Sequence, residues 1–176
     1  GIHLLLPQVD TVIDIGGQDA KALKLSPQGR LLAFQMNDKC AAGTGRFLDV
    51  MARVLNVPIE QLGPLSATSK QPAKISNTCT VFAESEVISQ LSAQVPLADI
   101  AAGIHKSVAK RVAGMALRLG HPVCLAMSGG VALNSGVVQA MEKEMGCPIL
   151  VDPLCQSAGA IGAAMLAYEK KLQAKE

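Results

Sequence analysis

Two short apolar runs in this chain each end in a pair of glycines. Val9 to Ile15 leads into Gly16-Gly17, and Val123 to Met127 leads into Ser128-Gly129-Gly130. A strand that ends in Gly-Gly lets main-chain amides approach a phosphate closely, because glycine carries no side chain. One such turn alone favours an ordinary β-hairpin over a phosphate site. The ordered pair favours an α/β fold that holds a nucleoside or a phosphate against its main chain.

The rest of the pattern predicts one layered domain with the order β-β-β-α-β-α-β-α. Further strands are expected at Ala20–Leu25, Leu31–Gln35 and Ile149–Val151, and the turn 26–29 joins the first two of them. Helices are expected after Cys40, after Cys79, over Leu97–Leu119, before Gly146 and after Gln156. The segment Gly63–Pro72 is expected to be a loop. The small residues after Gln156 are expected to lie close to the nucleotide loop or the sheet.

Cys40 begins one small polar turn, and Cys79 ends another. A predicted helix directly follows each of these turns. A helix start offers unpaired N–H groups and the positive end of the helix dipole, which favour a thiolate and hence a metal ligand. Two cysteines do not complete a four-thiolate site, so the site is expected to be shared between two copies of the chain. The alternative is a pair of half-buried cysteines without metal, because no Cys-x-x-Cys pair is present. The other thiols, Cys124, Cys147 and Cys155, are expected to be buried or adventitious.

Composition excludes several classes of function. The chain has 176 residues, of which 49% are hydrophobic and 17% charged, so it can bury a core as one domain or as one half of a two-lobed protein. Aromatic residues make up 2% and the net charge is +2, which argues against a nucleic-acid partner. No apolar run approaches the ~18 residues of a membrane span. Five cysteines and no signal peptide favour a reduced, cytoplasmic setting.

Three segments carry a close resemblance to one family: Asp14-Ile-Gly-Gly-Gln-Asp19, Asn37-Asp-Lys-Cys-Ala-Ala-Gly-Thr-Gly-Arg-Phe47 and Ile75-Ser-Asn-Thr-Cys-Thr-Val-Phe-Ala-Glu-Ser-Glu86. Through nearly all of its length the chain resembles the ATP-dependent activators (component A) of 2-hydroxyacyl-CoA dehydratases, to which the BcrAD/BadFG-like ATPase subunits of benzoyl-CoA reductase are related. The resemblance implies the actin/sugar-kinase/Hsp70 ATPase fold. A lobe of that fold is ribonuclease H-like, with a mixed five-stranded sheet and helices on both faces.

The resemblance also implies the site residues. It places one [4Fe-4S] cluster at the interface of a homodimer, with Cys40 and Cys79 of each protomer as ligands in segments 37–47 and 75–86. It implies ATP or ADP with magnesium at a set of strand-end residues: Asp14, Gly16, Gly17, Gln18, Gly129, Gly130, Val131 and Asn134. Asp14 is expected to reach the magnesium through water. Gln156 is placed near the adenine as a conjecture, and no catalytic residue is assigned.

The function implied is ATP-dependent transfer of one electron in anaerobic metabolism. Ferredoxin or flavodoxin would supply the electron, ATP would change the angle between the cysteine-bearing helices, and the dehydratase component would receive the electron. Residues 1–176 are expected to form the second lobe, because the family's first phosphate loop, Asp-x-Gly-Ser/Thr, is absent. The first lobe is therefore expected to be missing, and the chain alone is not expected to be a complete ATPase.

Two alternatives remain open from the residues. One is a sugar- or acetate-kinase-like lobe, which would share the Gly-Gly turns but has no need of paired cysteines. The other is a non-catalytic ATPase-like module. The sequence names neither the dehydratase, nor its acyl-CoA substrate, nor the electron donor.

Overall fold

The computed structural model describes residues 1–173, which form a mixed five-stranded sheet in the order β3-β2-β1-β4-β5. The strands are β1 (Thr11–Ile15), β2 (Ala20–Leu25), β3 (Leu31–Asn37), β4 (Leu125–Ser128) and β5 (Ile149–Val151). β1, β2 and β3 pair antiparallel, whereas β4 runs parallel to both β1 and β5. The predicted mixed five-stranded sheet is confirmed.

Seven α-helices lie within the described residues: α1 (Ile2–Leu5), α2 (Gly45–Leu55), α3 (Leu62–Ala67), α4 (Thr80–Ser92), α5 (Leu97–Ala116), α6 (Ser135–Met145) and α7 (Ala158–Gln173). Short 3-10 turns occupy Ile59–Gln61, Leu117–Leu119, Gly130–Leu133 and Cys155–Ser157. Across residues 1–173, none of the helices combines the length and the apolar character that a membrane crossing requires.

The central strand β1 is buried on both sides of the sheet, because successive side chains of a strand point to opposite faces. Ile13 and Ile15 point into the larger core with the helices that follow β3, and both are fully buried. Val12, between them in sequence, points to the opposite face and packs with Ile2 of α1 and Ala158 of α7. Helices therefore cover both faces of the sheet, as the resemblance implies.

Two local predictions were wrong. Leu62–Ala67 is a helix, although the sequence predicts a loop over Gly63–Pro72. Pro64 lies in the first turn of this helix, where a missing N–H breaks no intrahelical bond, and Leu62 is fully buried. Val123 is not part of the buried strand: it is 93% exposed, and its amide donates to the Asp10 carboxylate before β4 begins.

Of the small residues after Gln156, Ala158 packs against the sheet with Val12 and Ala126, which is one of the two positions expected. Within α7 only Ala158 is buried. A Cβ added at Gly162 would meet the main chain of Gly1, so the small residues of α7 allow close approach to the start of the chain. The short turn that precedes α7, which carries Gln156, is the part that reaches the cleft described next.

Candidate functional site

The two Gly-Gly turns lie side by side at one edge of the sheet. β1 and β4 are parallel neighbours, and their last paired residues are Asp14 and Ser128. Ligands in layered α/β folds gather at such carboxyl ends. A cleft of about 670 Å³ opens there, within the usual size range of small-molecule sites. Its lining includes the predicted residues Gly16, Gly17, Gly130, Val131 and Asn134, together with Gln156.

Gly129 allows the two turns to approach each other. Its φ is +83°, in the region that favours glycine, and a Cβ added there would collide with the main-chain oxygen of Ile15. Gly129 does not itself line the cleft. Its part is to bring the end of β4 against the end of β1, so that Gly16 and Gly130 share one wall.

The opposite wall comes from helices that sequence reasoning did not connect to the site. The residues concerned belong to α2, to α3 and to the 3-10 turn before α3: Gly45, Leu48, Asp49, Ile59, Glu60, Gly63 and Pro64. The pair Gly63-Pro64 is the one local signal that could have pointed here. A Cβ at Gly63 would meet the Ser135 hydroxyl at 2.7 Å, so this glycine lets α3 pack against the start of α6.

Two helix N-termini meet at the cleft, those of α2 and α6. Asn134 is the N-cap of α6, and its Oδ1 accepts from the amides of Gly136 (3.0 Å) and Val137 (3.1 Å). The positive ends of both helix dipoles favour a negatively charged ligand. The side-chain oxygen of Asn134 is thus already engaged. A side-chain hydrogen bond from Asn134 to a ligand would therefore come from Nδ2.

Asp14 and Gln18 lie outside the lining of the cleft. Asp14 accepts a hydrogen bond from the Ser128 hydroxyl at 2.7 Å and lies 3.7 Å from the Lys21 ammonium. Burial lowers the pKa of Lys21, but the hydrogen bond from Lys21 to Asp19 and the charges of Asp19 and Asp14 outweigh it, so this pKa is raised. Lys21 therefore stays charged beside Asp14. The magnesium role of Asp14 stays a prediction.

The helix predicted after the Cys40 turn is present, because α2 begins at Gly45. Its first two amides are engaged, however: Gly45 donates to the Gly16 carbonyl (2.9 Å) and Arg46 to the Gly17 carbonyl (2.8 Å). The expectation that these N–H groups are unpaired was wrong. Asn37 Nδ2 shapes this segment instead, because it donates to the carbonyl of Cys40 at 2.9 Å.

The second cysteine segment matches its prediction. Cys79 is the N-cap of α4 in an extended conformation, and its side chain makes no capping hydrogen bond. Its thiol is therefore not engaged by the helix that follows it. The neighbouring Thr80 hydroxyl oxygen is buried and, within residues 1–173, has no hydrogen-bond partner.

These residues fit half of a cluster site. Cys40 and Cys79 are both half-buried free thiols, and Thr80 offers an unused hydroxyl beside one of them. In the described part of the chain, no three His, Cys, Asp or Glu side chains gather as a candidate metal site. A cubane ordinarily takes four thiolates, so one chain would supply two and a second copy the rest. The distance between the two cysteines stays a prediction.

The environments of Cys147 and Cys155 disfavour a thiolate ligand. Cys155 is fully buried, and burial raises the pKa of its thiol. Burial, helped by the nearby charge of Glu142, also raises the pKa of Cys147. Cys124 is half-buried against the smaller core. A raised pKa disfavours the thiolate form that binds metal.

A buried histidine supports the helical side of the cleft. His105 of α5 is 1% exposed, and its Nδ1 lies 2.9 Å from the Ser66 hydroxyl. Ser66 already donates to the Gly63 carbonyl, so we assign the Nδ1 proton to His105. Burial lowers the pKa of His105 to about 4, and the ring is neutral near pH 7. The chain His105–Ser66–Gly63 thereby connects α5 to the cleft wall.

Comparison with known proteins agrees with this geometry. Residues 1–167 match the BadF/BadG/BcrA/BcrD ATPase family. The 2-hydroxyisocaproyl-CoA dehydratase activator of Clostridioides difficile is 53% identical over 176 residues, which cover 100% of this chain and 66% of the relative. The (R)-2-hydroxyglutaryl-CoA dehydratase activating ATPase of Acidaminococcus fermentans is 55% identical over 170 residues, which cover 97% of this chain and 65% of that protein.

A solved structure shows the same chain path. The activator of the 2-hydroxyisocaproyl-CoA dehydratase from Clostridium difficile, with bound ADPNP, superposes with a TM-score of 0.94 at 53% identity, over 99% of this chain and 65% of that one. The chain thus spans about two thirds of the length of these relatives. The chain has the fold of this activator and belongs to the BadF/BadG/BcrA/BcrD ATPase family.

Proposed function

We propose that this chain is the cluster-bearing and nucleotide-binding lobe of an ATP-dependent activator of a 2-hydroxyacyl-CoA dehydratase. The observation that carries the proposal is the direct connection between the candidate nucleotide cleft and the segment that follows Cys40. Sequence identity of 53–55% to activators of such dehydratases supports the same function. That identity favours an activator over the kinase-like alternative.

The cleft suits the phosphates of ATP or ADP. Gly17 has no atom within 4 Å of the place where a Cβ would sit, so its main chain is open to a ligand. Gly130 is nearly as open, with only the Gln156 amide 3.6 Å away. Both helix dipoles reinforce this preference for anions. The bound ADPNP of the solved relative is consistent with a nucleotide at this edge.

Cys40 and Cys79 would hold the chain's share of a [4Fe-4S] cluster in a homodimer, each protomer contributing two thiolates. When bound, the cluster supplies one-electron redox chemistry. Thr80, next to Cys79, would donate its unused hydroxyl proton toward sulfur. Hydrogen bonds of this kind tune the potential of a metal site.

The connection between the two sites is short. The amides of Gly45 and Arg46 hold the carbonyls of Gly16 and Gly17, and Gly45 lies five positions after Cys40. A ligand that displaces the Gly16-Gly17 turn must therefore move the start of α2, or break these bonds. Such a displacement is the differential contact that coupling between two sites requires.

Residues 1–176 are proposed to be the second of two lobes, with the remaining nucleotide contacts supplied by the first. Within residues 1–173, a single set of three consecutive antiparallel strands is followed by two strands that alternate with helices. This order and the coverage of about two thirds of each relative support the arrangement. A ferredoxin or flavodoxin donor and a dehydratase acceptor are proposed as partners.

Titration calorimetry with magnesium ADP tests the nucleotide site. Gly17→Val places a branched side chain in the open part of the cleft and is expected to weaken binding at least ~10-fold, about 1.4 kcal/mol. Gly159→Val is the matched control, because Gly159 also has nothing within 4 Å but lies on α7 outside the cleft. Equal affinity in both variants would refute the nucleotide role of this cleft.

A further inference from the structure

α5 contacts both cysteine segments through one side chain, Arg111. We call residues 40–44 the Cys40 loop and residues 75–79 the Cys79 loop. Arg111 Nη1 donates to the carbonyls of Asn77 (2.8 Å) and Thr78 (3.2 Å) in the Cys79 loop. Its aliphatic stem packs against the Cys40 loop, where a Cβ added at Gly43 would stand 3.0 Å from the Arg111 Cδ atom.

Gly43 allows the Arg111 stem to lie against the Cys40 loop. It is buried, and its φ of +86° lies in the region that favours glycine. Because the Arg111 stem occupies the space beside it, any larger residue would push the stem away from the Cys40 loop. Both loops therefore contact the Arg111 side chain.

The Cys79 loop depends on polar contacts for its position. A cavity of about 450 Å³ adjoins it, lined among others by Ser76, Glu86 and Ser107. Four hydrogen bonds join the Cys79 loop to the side chains of α4 and α5. Ser107 donates to the Ser76 carbonyl (2.8 Å), the Ser76 amide donates to Glu86 (2.5 Å), and Arg111 donates to the next two carbonyls. Ser107 and Arg111 are four residues apart, so they project from the same face of α5.

The guanidinium also places a positive charge at this point. Within residues 1–173, no carboxylate lies close enough to Arg111 to form a salt bridge. Arginine stays protonated at all relevant pH values. Within the described residues, its charge is therefore not cancelled by a paired acid.

We propose that Arg111 is a positioning residue, which fixes the Cys40 loop and the Cys79 loop relative to each other and supplies positive charge to the site they form. The inference rests on the proposed function of the two cysteines. It assigns to Arg111 a role outside the ligand set: it orients the loops through their main chain, and it stabilises the more reduced state of a negatively charged metal group.

Hydrogen exchange of the iron-free chain tests the positioning role without reference to any metal. Arg111→Gln is expected to speed amide exchange ~10-fold or more in residues 40–44 and 75–79, and to leave α6 unchanged. Lys110→Gln, an exposed neighbour on the same helix, is the control and should change neither loop. Ser107→Ala removes a single bond to the Cys79 loop and should loosen that loop alone, which keeps the test decisive if Arg111→Gln folds poorly.

Anaerobic reconstitution with ferrous iron and sulfide tests the role toward the metal. In Arg111→Gln, iron should be lost to a chelator ~10- to 100-fold faster, the usual range for partners outside the ligand set, and the midpoint potential should become more negative. Arg111→Lys retains the charge and should restore the potential but not the retention of iron. Unchanged exchange, retention and potential in Arg111→Gln would overturn the inference. If the unaltered chain takes up no iron, the proposed function fails, while hydrogen exchange still decides the role of Arg111.

Discussion

The amide of Gly45 donates a hydrogen bond of 2.9 Å to the carbonyl of Gly16. The first residue belongs to the helix that follows Cys40, and the second to the turn at the end of the central strand. A Cβ added at Gly45 would stand 3.1 Å from the Gly16 oxygen and 3.2 Å from Gly17 Cα, closer than ordinary packing. The turn and the helix start are thus in direct contact, and the fit leaves no room for a side chain.

Gly45→Ala should therefore disturb the cleft although it introduces only a methyl group. The methyl must move the Gly16-Gly17 turn by a few tenths of an ångström, and we expect magnesium ADP to bind roughly 10-fold more weakly, about 1.4 kcal/mol. Gly114→Ala in α5 is the control, since nothing lies within 4 Å of its added Cβ. Calorimetric titration of both variants measures the effect. An unchanged affinity in Gly45→Ala would show that the turn and the helix move independently.

Asn134 is expected to stabilise the fold even when no ligand is bound. Its Oδ1 caps α6, so Asn134→Ala should lower the free energy of unfolding by ~1 kcal/mol, and Asn134→Ser should recover most of that loss. Chemical denaturation without nucleotide measures both. Equal free energies of unfolding for Asn134→Ala and Asn134→Ser would show that the side-chain cap does not stabilise α6.

His105 makes stability depend on pH in the mildly acidic range. Burial lowers the pKa of His105 from 6.5 to about 4 in the folded chain, so the unfolded chain binds the extra proton first. The free energy of unfolding is therefore unaffected by this group above pH 6.5. It falls as the pH drops from 6.5 toward 4, by roughly 3 kcal/mol in total.

Denaturation series between pH 7 and pH 4 on the unaltered chain and on His105→Leu measure this loss. Ser66 keeps its bond to the Gly63 carbonyl in the variant, so the fold of α3 should persist. The variant should show a shallower decline of stability across that window. Identical slopes for the two chains would contradict the assignment of the pH dependence to His105.

Much of the fold follows from local pattern. The apolar run from Val9 to Ile15 and the Gly-Gly turn after it predict the strand and the turn that ends it. α5 follows from an apolar stripe that includes Ile100, Ile104 and Val108, all buried in the structure. In these places the periodicity of the chain and the tertiary packing require the same residues.

The far wall of the cleft did not follow from the sequence. Gly63 and Pro64 oppose a helix by local propensity, and only packing of Leu62 in the core and of Gly63 against Ser135 stabilises one there. The bond from Gly45 to Gly16 is likewise a long-range contact, which no local pattern encodes. It changes the interpretation of the Cys40 segment, because the helix start that the sequence directs at the thiol is used by the Gly-Gly turn.

Iron content and molecular mass, measured together on the anaerobically reconstituted chain, test the central claim that Cys40 and Cys79 form half of a shared cluster site. The account predicts a dimer with about four iron atoms per pair of chains. Cys40→Ser and Cys79→Ser should each lose the iron and weaken dimerisation, whereas Cys147→Ser should do neither. A monomer that retains four iron atoms, or an unchanged iron content in Cys40→Ser, would contradict it.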